Sequence, residues 1–195
     1  MERRDAIRYT AFFMGATLSA SAITSILEGC KVDTSETWMP THFSSGETDF
    51  ISELGETILP KTKTPGAKDA MVERFIDTCR PLRFTAEVND KFKKNLHTLM
   101  EQAKTDLGKD FMKATPEARL EWVNTLDKTS FEAVKAHPDM PEEEKPFYLE
   151  LKMNILGGYF LSEIVAKEYF AFDPVPGRYD PCIPYEEVGK AWAII

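Results

Sequence analysis

Residues 86–107 read AEVNDKFKKNLHTLMEQAKTDL, and this stretch decides the fold class of the chain. Apolar residues recur in it every three or four positions. They are Val88, Phe92, Leu96, Leu99, Ala103 and Leu107. This spacing places their side chains on one face of an α-helix that packs against a core. Thr85 is suited to cap the start of the helix and Gly108 to end it. The stretch therefore predicts a long amphipathic helix.

Both flanks of this stretch continue the helical pattern. The further segments with helical spacing are 47–60, 67–78, one that begins at Pro116, 130–136, and most of 142–170. Pro60 and Pro81 are expected to end the first two segments, and Gly157-Gly158 marks a bend or a point of close packing in the last. Strand patterns are nearly absent. The sequence therefore predicts an all-α fold, with one helical domain over residues 47–195.

The end of the chain departs from the helical pattern. Residues 173–184 contain four prolines, which forbid a regular helix and predict an irregular, proline-rich C-terminal arm. Aromatic residues are concentrated from Tyr159 onward, and helical spacing assigns Tyr159, Phe160 and Tyr169 to the core. Rigid aromatic side chains are enriched at protein interfaces. Two interpretations of the arm stay open: it wraps its own domain, or it contacts a partner protein. The predicted partner contacts are Arg178, Tyr179, Tyr185 and Trp192.

The first 29 residues have the composition of an export signal peptide, with charged residues before an apolar run. The pair Arg3 and Arg4 favours the twin-arginine route, which carries folded proteins. Cys30 directly follows the apolar run, as a lipidated cysteine does, and the polar residues 30–46 are expected to form a tether. The expected location is periplasmic, with membrane anchoring through a lipidated Cys30. The alternative is an N-terminal membrane anchor that is never cleaved.

Composition limits the classes of function. The chain has 195 residues, 43% hydrophobic content and a formal net charge of −8. This hydrophobic content is typical of a folded globular protein. The acidic balance argues against nucleic-acid binding, which needs a basic surface. Cys79 and Cys182 could form one disulfide, or both could remain buried free thiols.

The sequence lacks the usual fingerprints of a catalytic or cofactor-binding chain. It has no Gly-x-Gly-x-x-Gly and no Cys-x-x-Cys-His, and its three histidines are isolated from one another. Residues 142–144 are three glutamates, but after Pro141 they are better explained as the acidic first turn of a helix than as a metal site. The prediction is that this chain has no catalytic, cofactor-binding or metal-binding residues.

Several stretches resemble the gluconate 2-dehydrogenase subunit 3 family. Besides the leader with its arginine pair, they are Leu54–Pro60, Thr64–Ala67, Val72–Asp77, Leu156–Glu163 and Pro176–Tyr179. The most specific of them is the run from Ile58 to Ala67, which reads Ile-Leu-Pro-x-Thr-x-Thr-Pro-Gly-Ala. The resemblance covers most of the chain, and Cys30 suggests a lipoprotein-like variant of the family.

The resemblance implies a non-catalytic accessory subunit of an exported flavin-dependent sugar or sugar-acid dehydrogenase. In that family the small subunit supports the export and stability of a large flavoprotein of the glucose–methanol–choline oxidoreductase type. FAD is then expected in the partner subunit and no cofactor in this chain, and a multihaem cytochrome c takes the electrons. The alternative function is a stand-alone, lipid-anchored periplasmic binding or scaffold protein.

Overall fold

A computed structural model of the chain describes residues 38–173, 175, 177 and 182–193, and these fold almost wholly as helices. The α-helices are α1 (Ser45–Ile58), α2 (Val72–Arg83), α3 (Ala86–Leu107), α4 (Pro116–Ala136), α5 (Phe147–Phe160), α6 (Glu163–Glu168) and α7 (Tyr185–Val188). Two 3-10 turns lie at Phe111–Lys113 and Glu142–Glu144. Within the described ranges, β pairing is limited to one bridge between Ala171 and Trp192. The all-α prediction is confirmed.

The core lies among the first five helices. α1 packs against α2 and α4, α2 also packs against α5, and α3 packs against α4. Their largest fully buried side chains include Phe50, Ile51, Leu54, Ile76, Phe92, Leu96, Leu151 and Ile155. Full burial of one such side chain contributes about 1.5–3 kcal/mol. Two of these residues, Phe92 and Leu96, lie on the apolar stripe that predicted α3.

Local sequence signals set most of the helix starts. Ser44 and Glu47 form a capping box at the start of α1, in which each side chain bonds to the other residue's backbone N–H. Thr115 accepts a hydrogen bond from the N–H of Ala118 at the start of α4. Gly108 ends α3 in the left-handed conformation, with φ of 65°. Thr85 precedes α3 with extended backbone, although its side chain makes no capping bond.

Two predicted helix ends are wrong. α2 does not end before Pro81 but continues to Arg83, because a proline in the last turn removes only one hydrogen bond from the helix. Residues 130–136 are not a separate helix, since α4 runs unbroken to Ala136.

The predicted helix over 142–170 is broken in two places. The three glutamates form only a 3-10 turn, and α5 begins at Phe147 after Pro146. The second break lies after Phe160, where Ser162 caps α6 by accepting a hydrogen bond from the N–H of Val165. The glycine pair before it is fully helical, so the predicted bend is absent there and the close-packing alternative is the correct one.

Gly158 is the close-packing point between α5 and α2. A Cβ atom at this position would lie 2.9 Å from Cδ1 and 3.3 Å from Cγ of Phe75, whereas a Cβ at Gly157 would meet no atom within 4 Å. We therefore expect Gly158→Ala to lower the free energy of unfolding by about 1–2 kcal/mol through overpacking. Gly157→Ala is the matched control and should raise it by up to about 1 kcal/mol, since alanine favours the helix. Urea denaturation measures both, and equal effects would contradict the assigned contact.

The N-terminal boundary of the packed domain lies before the predicted one. Residues 41–46 fall in the predicted tether, but Thr41, His42 and Phe43 bond to Asp77, and Phe43 is buried. The predicted signal peptide and Cys30 lie outside the described residues. Over the part that is described, no helix combines the length and the apolar character that crossing a bilayer requires.

Only part of the predicted C-terminal arm is described. Pro174, Pro176 and Pro181 lie outside the described residues, so the irregular, proline-rich arm stays a prediction there. After residue 182 the chain forms the single turn of α7 and then returns to Ala171. The N–H of Ala171 donates to the carbonyl of Ala191 at 2.8 Å, and the N–H of Ala193 donates to the carbonyl of Ala171 at 2.9 Å.

The two remaining cysteines are free thiols in the structure. Cys79 is half-buried in α2, and Cys182 is exposed. The disulfide that the sequence allowed between them is not formed.

Candidate partner interface

Close contacts join described stretches that carry the family resemblance, within residues 54–77 and 156–163. Gly55 in α1 lets three side chains approach closely, because a Cβ there would lie 3.1–3.6 Å from Val72, Ala67 and Ile155. Together with the contact between Gly158 and Phe75, this brings α1, α2 and α5 together. Small residues in these stretches therefore act by allowing close helix packing.

The loop between α1 and α2 is held in shape by side chains from both sides. The carboxylate of Glu56 accepts hydrogen bonds from the N–H groups of Lys61 and Lys68, both at 2.9 Å. The carboxylate of Asp69 accepts from the N–H of Gly66 at 3.0 Å. A Cβ at Gly66 would lie 2.6 Å from both carboxylate oxygens of Glu56 and 2.8 Å from the backbone nitrogen of Lys61, so a larger residue would force these groups to shift. The loop is therefore rigidly placed.

Tyr159 fixes the same loop from α5. Its hydroxyl donates a 2.7 Å hydrogen bond to the carbonyl of Pro65. Burial raises the pKa of the Tyr159 hydroxyl above its usual value, so the group remains a neutral donor. This bond places Thr64 beside the C-terminal end of α5.

A cavity of about 820 Å³ opens between this loop, the end of α5 and the C-terminal residues. Its lining is mostly aromatic and aliphatic, and we call it the aromatic cavity. The residues that line it include Thr64, Phe160, Leu161, Tyr169, Phe170 and Tyr185. Its volume lies within the ~300–1,000 Å³ that is usual for binding clefts.

Large apolar side chains around the aromatic cavity are exposed to solvent. Phe160, Leu161, Tyr169 and Tyr185 have exposed fractions of 40–66%, and Trp192 nearby is 52% exposed. Exposed apolar side chains that cluster in one place mark interaction sites, whereas single ones are ordinary. Aromatic residues also dominate the binding energy of protein interfaces. This surface is therefore the best candidate for a protein contact.

The predicted contact residues fall on this surface as far as they are described. Tyr185 lines the aromatic cavity, and Trp192 forms the bridge with Ala171. Arg178 and Tyr179 lie outside the described residues. Their part in this surface therefore stays a prediction.

Sequence reasoning missed other members of the surface. The assignment of Phe160 and Tyr169 to the core is wrong, since both are substantially exposed, whereas Tyr159 is buried as expected. Leu161 was not singled out. Their helical spacing resembles that of core residues. The pattern predicts one mostly helical segment here, whereas the structure has a break after Phe160, where Ser162 caps α6. The serine cap directly after an apolar run was the available signal.

Two buried ionisable side chains elsewhere in the domain stabilise contacts between its segments. Asp77, only 1% exposed, accepts hydrogen bonds from the backbone of Thr41, His42 and Phe43. The buried Arg80 pairs with Glu150 at 3.0 Å. Over the residues that the structure describes, no group of three or more metal-ligating side chains converges.

Comparison with known proteins identifies the family. The description of the matching family is gluconate 2-dehydrogenase subunit 3, and the match spans residues 45–177, which include every described helix up to α6. Searches of the curated proteins and of the solved structures gave no significant match. Because the match covers well over half of the chain, this protein belongs to the gluconate 2-dehydrogenase subunit 3 family, whose members are subunits of multi-subunit dehydrogenase complexes.

Proposed function

We propose that this chain is a non-catalytic accessory subunit that binds a large, exported, flavin-dependent sugar or sugar-acid dehydrogenase. The observation that carries the proposal is the exposed aromatic surface around the aromatic cavity. Thr64, Phe160 and Leu161 on that surface belong to stretches that resemble the family, whereas Tyr185 and Trp192 follow the matched residues 45–177. FAD would lie in the partner subunit, and a cytochrome c would accept its electrons.

The proposal includes a route out of the cytoplasm. A twin-arginine signal on this chain, with Arg3 and Arg4, would carry the folded, flavin-loaded partner across the membrane together with it. Lipid attachment at Cys30 would then anchor the complex on the periplasmic side. Acyl chains hold proteins at membranes through burial of about 0.8 kcal/mol per CH₂ group. Residues 31–40 would then connect this anchor to the segment that begins at Thr41, whose N–H donates to Asp77.

The proposed function is tested by purifying the tagged full-length chain from the membranes of producing cells. We expect a large partner to co-purify with stoichiometric flavin absorbance and with sugar- or sugar-acid-dependent reduction of a dye. The chain by itself should show neither flavin absorbance nor this activity. Recovery of the chain alone, from cells that produce the flavoprotein, would support the alternative of a stand-alone lipid-anchored protein.

The export route gives a separate prediction. Arg3→Lys combined with Arg4→Lys should retain both this chain and its flavoprotein partner in the cytoplasm. Lysine keeps the charge but not the planar guanidinium that recognition of the arginine pair needs. Cell fractionation followed by activity assay of the periplasmic side measures the effect. Replacing Arg8 by lysine is the matched control and should leave export intact; normal export of the double variant would assign the leader to the general secretory route.

A further inference from the structure

A second cavity opens between α3, α4 and the start of α5. Its volume is about 340 Å³, at the lower end of the ~300–1,000 Å³ that is usual for clefts that bind small molecules. We call it the amide cavity, after the side-chain amides of two residues that line it, Asn95 and Gln102. The lining also includes Leu99, Ser130, Lys145 and Phe147. The size of the amide cavity suits a small molecule.

Ser130 on α4 distinguishes the amide cavity from the rest of the domain. It is one of six polar or charged residues that are buried in the described part of the chain, and it is 3% exposed. The other five make hydrogen bonds or ion pairs through their side chains: Glu47, Thr48, Asp77, Arg80 and Asn89. No described residue bonds to the Ser130 hydroxyl, although buried polar groups are almost always hydrogen-bonded. Its capacity to donate and accept is therefore open to a molecule in the cavity.

The side-chain amides of the lining match hydroxyl groups. An amide of this kind both donates and accepts hydrogen bonds, as a hydroxyl does. Asn95 and Gln102 lie about two turns apart on one face of α3. Over the residues that the structure describes, neither side chain is engaged in a hydrogen bond. Leu99, between them, and Phe147 add apolar surface on which C–H groups pack. The lining therefore suits a molecule that carries several hydroxyl groups on a short carbon skeleton.

The charge of the lining disfavours a cation. The described residues that line the amide cavity include no aspartate or glutamate, whereas Lys145 contributes an ammonium group. Lys145 pairs with Glu142, whose side chain is 84% exposed. Exposed pairs of this kind are weak, so the ammonium group is available to a carboxylate of a bound molecule.

From this arrangement we infer that the amide cavity binds a small polyhydroxylated molecule of the class of sugars and sugar acids. Its hydroxyl groups bond to Ser130, Asn95 and Gln102, and its C–H groups pack on the apolar part of the lining. The carboxylate of a sugar acid pairs with Lys145. This site goes beyond the proposed function and does not rest on it, because every group that forms it belongs to this chain.

The first test measures binding to the purified full-length chain by saturation-transfer difference NMR, with D-glucose, D-gluconate and acetate as probes. We expect D-glucose and D-gluconate to bind saturably at millimolar concentrations, and acetate, which has a carboxylate but no hydroxyl, not to bind. Tighter binding of D-gluconate that Lys145→Met removes assigns the site to sugar acids, whereas equal binding assigns it to neutral sugars, and both results support the inference. It is overturned if neither polyhydroxylated probe binds saturably, or if acetate binds as tightly as D-gluconate.

The second test locates the bound probe. Ser130→Ala removes the buried hydroxyl, and Gln102→Met removes the amide from an exposed side chain of similar length. Each should weaken binding about 10-fold, through the loss of one hydrogen bond. Thr129→Ala is the matched control and should leave binding unchanged. It also removes a hydroxyl from α4, but Thr129 donates to the carbonyls of Thr125 and Leu126 and does not line the cavity.

Circular dichroism checks that the three variants keep the helical fold. The exposed position of Gln102 keeps the test valid even if the buried substitution at Ser130 disturbs packing. Wild-type binding by both Ser130→Ala and Gln102→Met would place the probe outside the amide cavity and would overturn the inference. Co-purification of a flavoprotein tests the proposed function separately, since neither result depends on the other.

Discussion

Asp77→Ala is expected to lower the free energy of unfolding by about 3–5 kcal/mol, a large part of the ~5–15 kcal/mol that stabilises a typical domain. The Asp77 carboxylate accepts four hydrogen bonds at 2.8–3.0 Å: from the N–H groups of Thr41, His42 and Phe43, and from the hydroxyl of Thr41. Alanine would leave these donors without an acceptor and would release Phe43 from the core. Hydrogen bonds to charged groups contribute about 1.5–3 kcal/mol each, but these four act on one short segment and do not add fully.

Urea denaturation at neutral pH measures this effect. Asp90→Ala is the control, because Asp90 is exposed on α3 and its loss should change the free energy of unfolding by less than about 0.5 kcal/mol. Asp77→Asn should also destabilise the domain, since the amide nitrogen cannot accept from the converging N–H groups. If Asp77→Ala were as stable as the control variant, the segment 41–43 would not be held by this carboxylate.

The same carboxylate predicts an acid-dependent loss of stability. Burial by itself raises the pKa of Asp77, but the hydrogen bonds from Thr41, Phe43 and His42 outweigh burial and hold the pKa below its usual value. A pKa that is lower in the folded state stabilises the protein above the unfolded pKa of about 3.9, and this part is lost as the pH falls through the folded pKa. The difference in stability between wild type and Asp77→Ala should therefore shrink below about pH 4. A difference that stays constant down to pH 2 would contradict the assigned role.

Truncation after Phe172 is expected to abolish co-purification of the proposed flavoprotein partner while the helical domain stays folded. The truncation removes Tyr185 and Trp192, and interface aromatics of this kind contribute about 2 kcal/mol or more each. If the two contributions add, their loss weakens binding by about 1,000-fold. None of the removed residues that the structure describes is buried, so the core among α1–α5 should persist.

Circular dichroism and pull-down together check the truncation. The helical signal per molecule should fall only by the contribution of the single turn of α7. The substitutions Tyr185→Ala and Trp192→Ala in the full chain provide a milder control, which keeps the backbone bonds to Ala171. Unfolding of the truncated chain would show that the arm belongs to the core. Full-strength capture of the partner by a folded truncated chain would place the interface on other helix faces, first of all those between residues 47 and 78.

Much of the helical part could be predicted from the sequence because the signals are local. The apolar spacing from Val88 to Leu107, together with Gly108, predicted the bounds of α3 as the structure has them. Thr115 and Pro116 likewise predicted the start of α4. Such signals depend on contacts within one or two turns, which neighbouring residues supply by themselves.

The candidate interface could be predicted only in part. Tyr185 and Trp192 were identified from aromatic composition, whereas Phe160 and Tyr169 were assigned to the core. A periodic apolar stripe indicates which face of a helix is apolar, but it does not indicate whether another element covers that face. The aromatic cavity shows this, since its lining comes from the loop at Thr64, from α5 and from the C-terminal residues.

The sequence by itself determined the all-α class, the main helices and the family, because helical periodicity, helix caps and short stretches that resemble the family each involve residues close together along the chain. Only the tertiary structure decided which residues hold the domain in shape. Asp77 bonds to residues 34–36 positions before it, and Tyr159 donates to Pro65 across 94 positions. The physical reason is that such partners meet only after α1, α2 and α5 have packed, and the geometry of that packing depends on side-chain volumes throughout the core rather than on any local pattern.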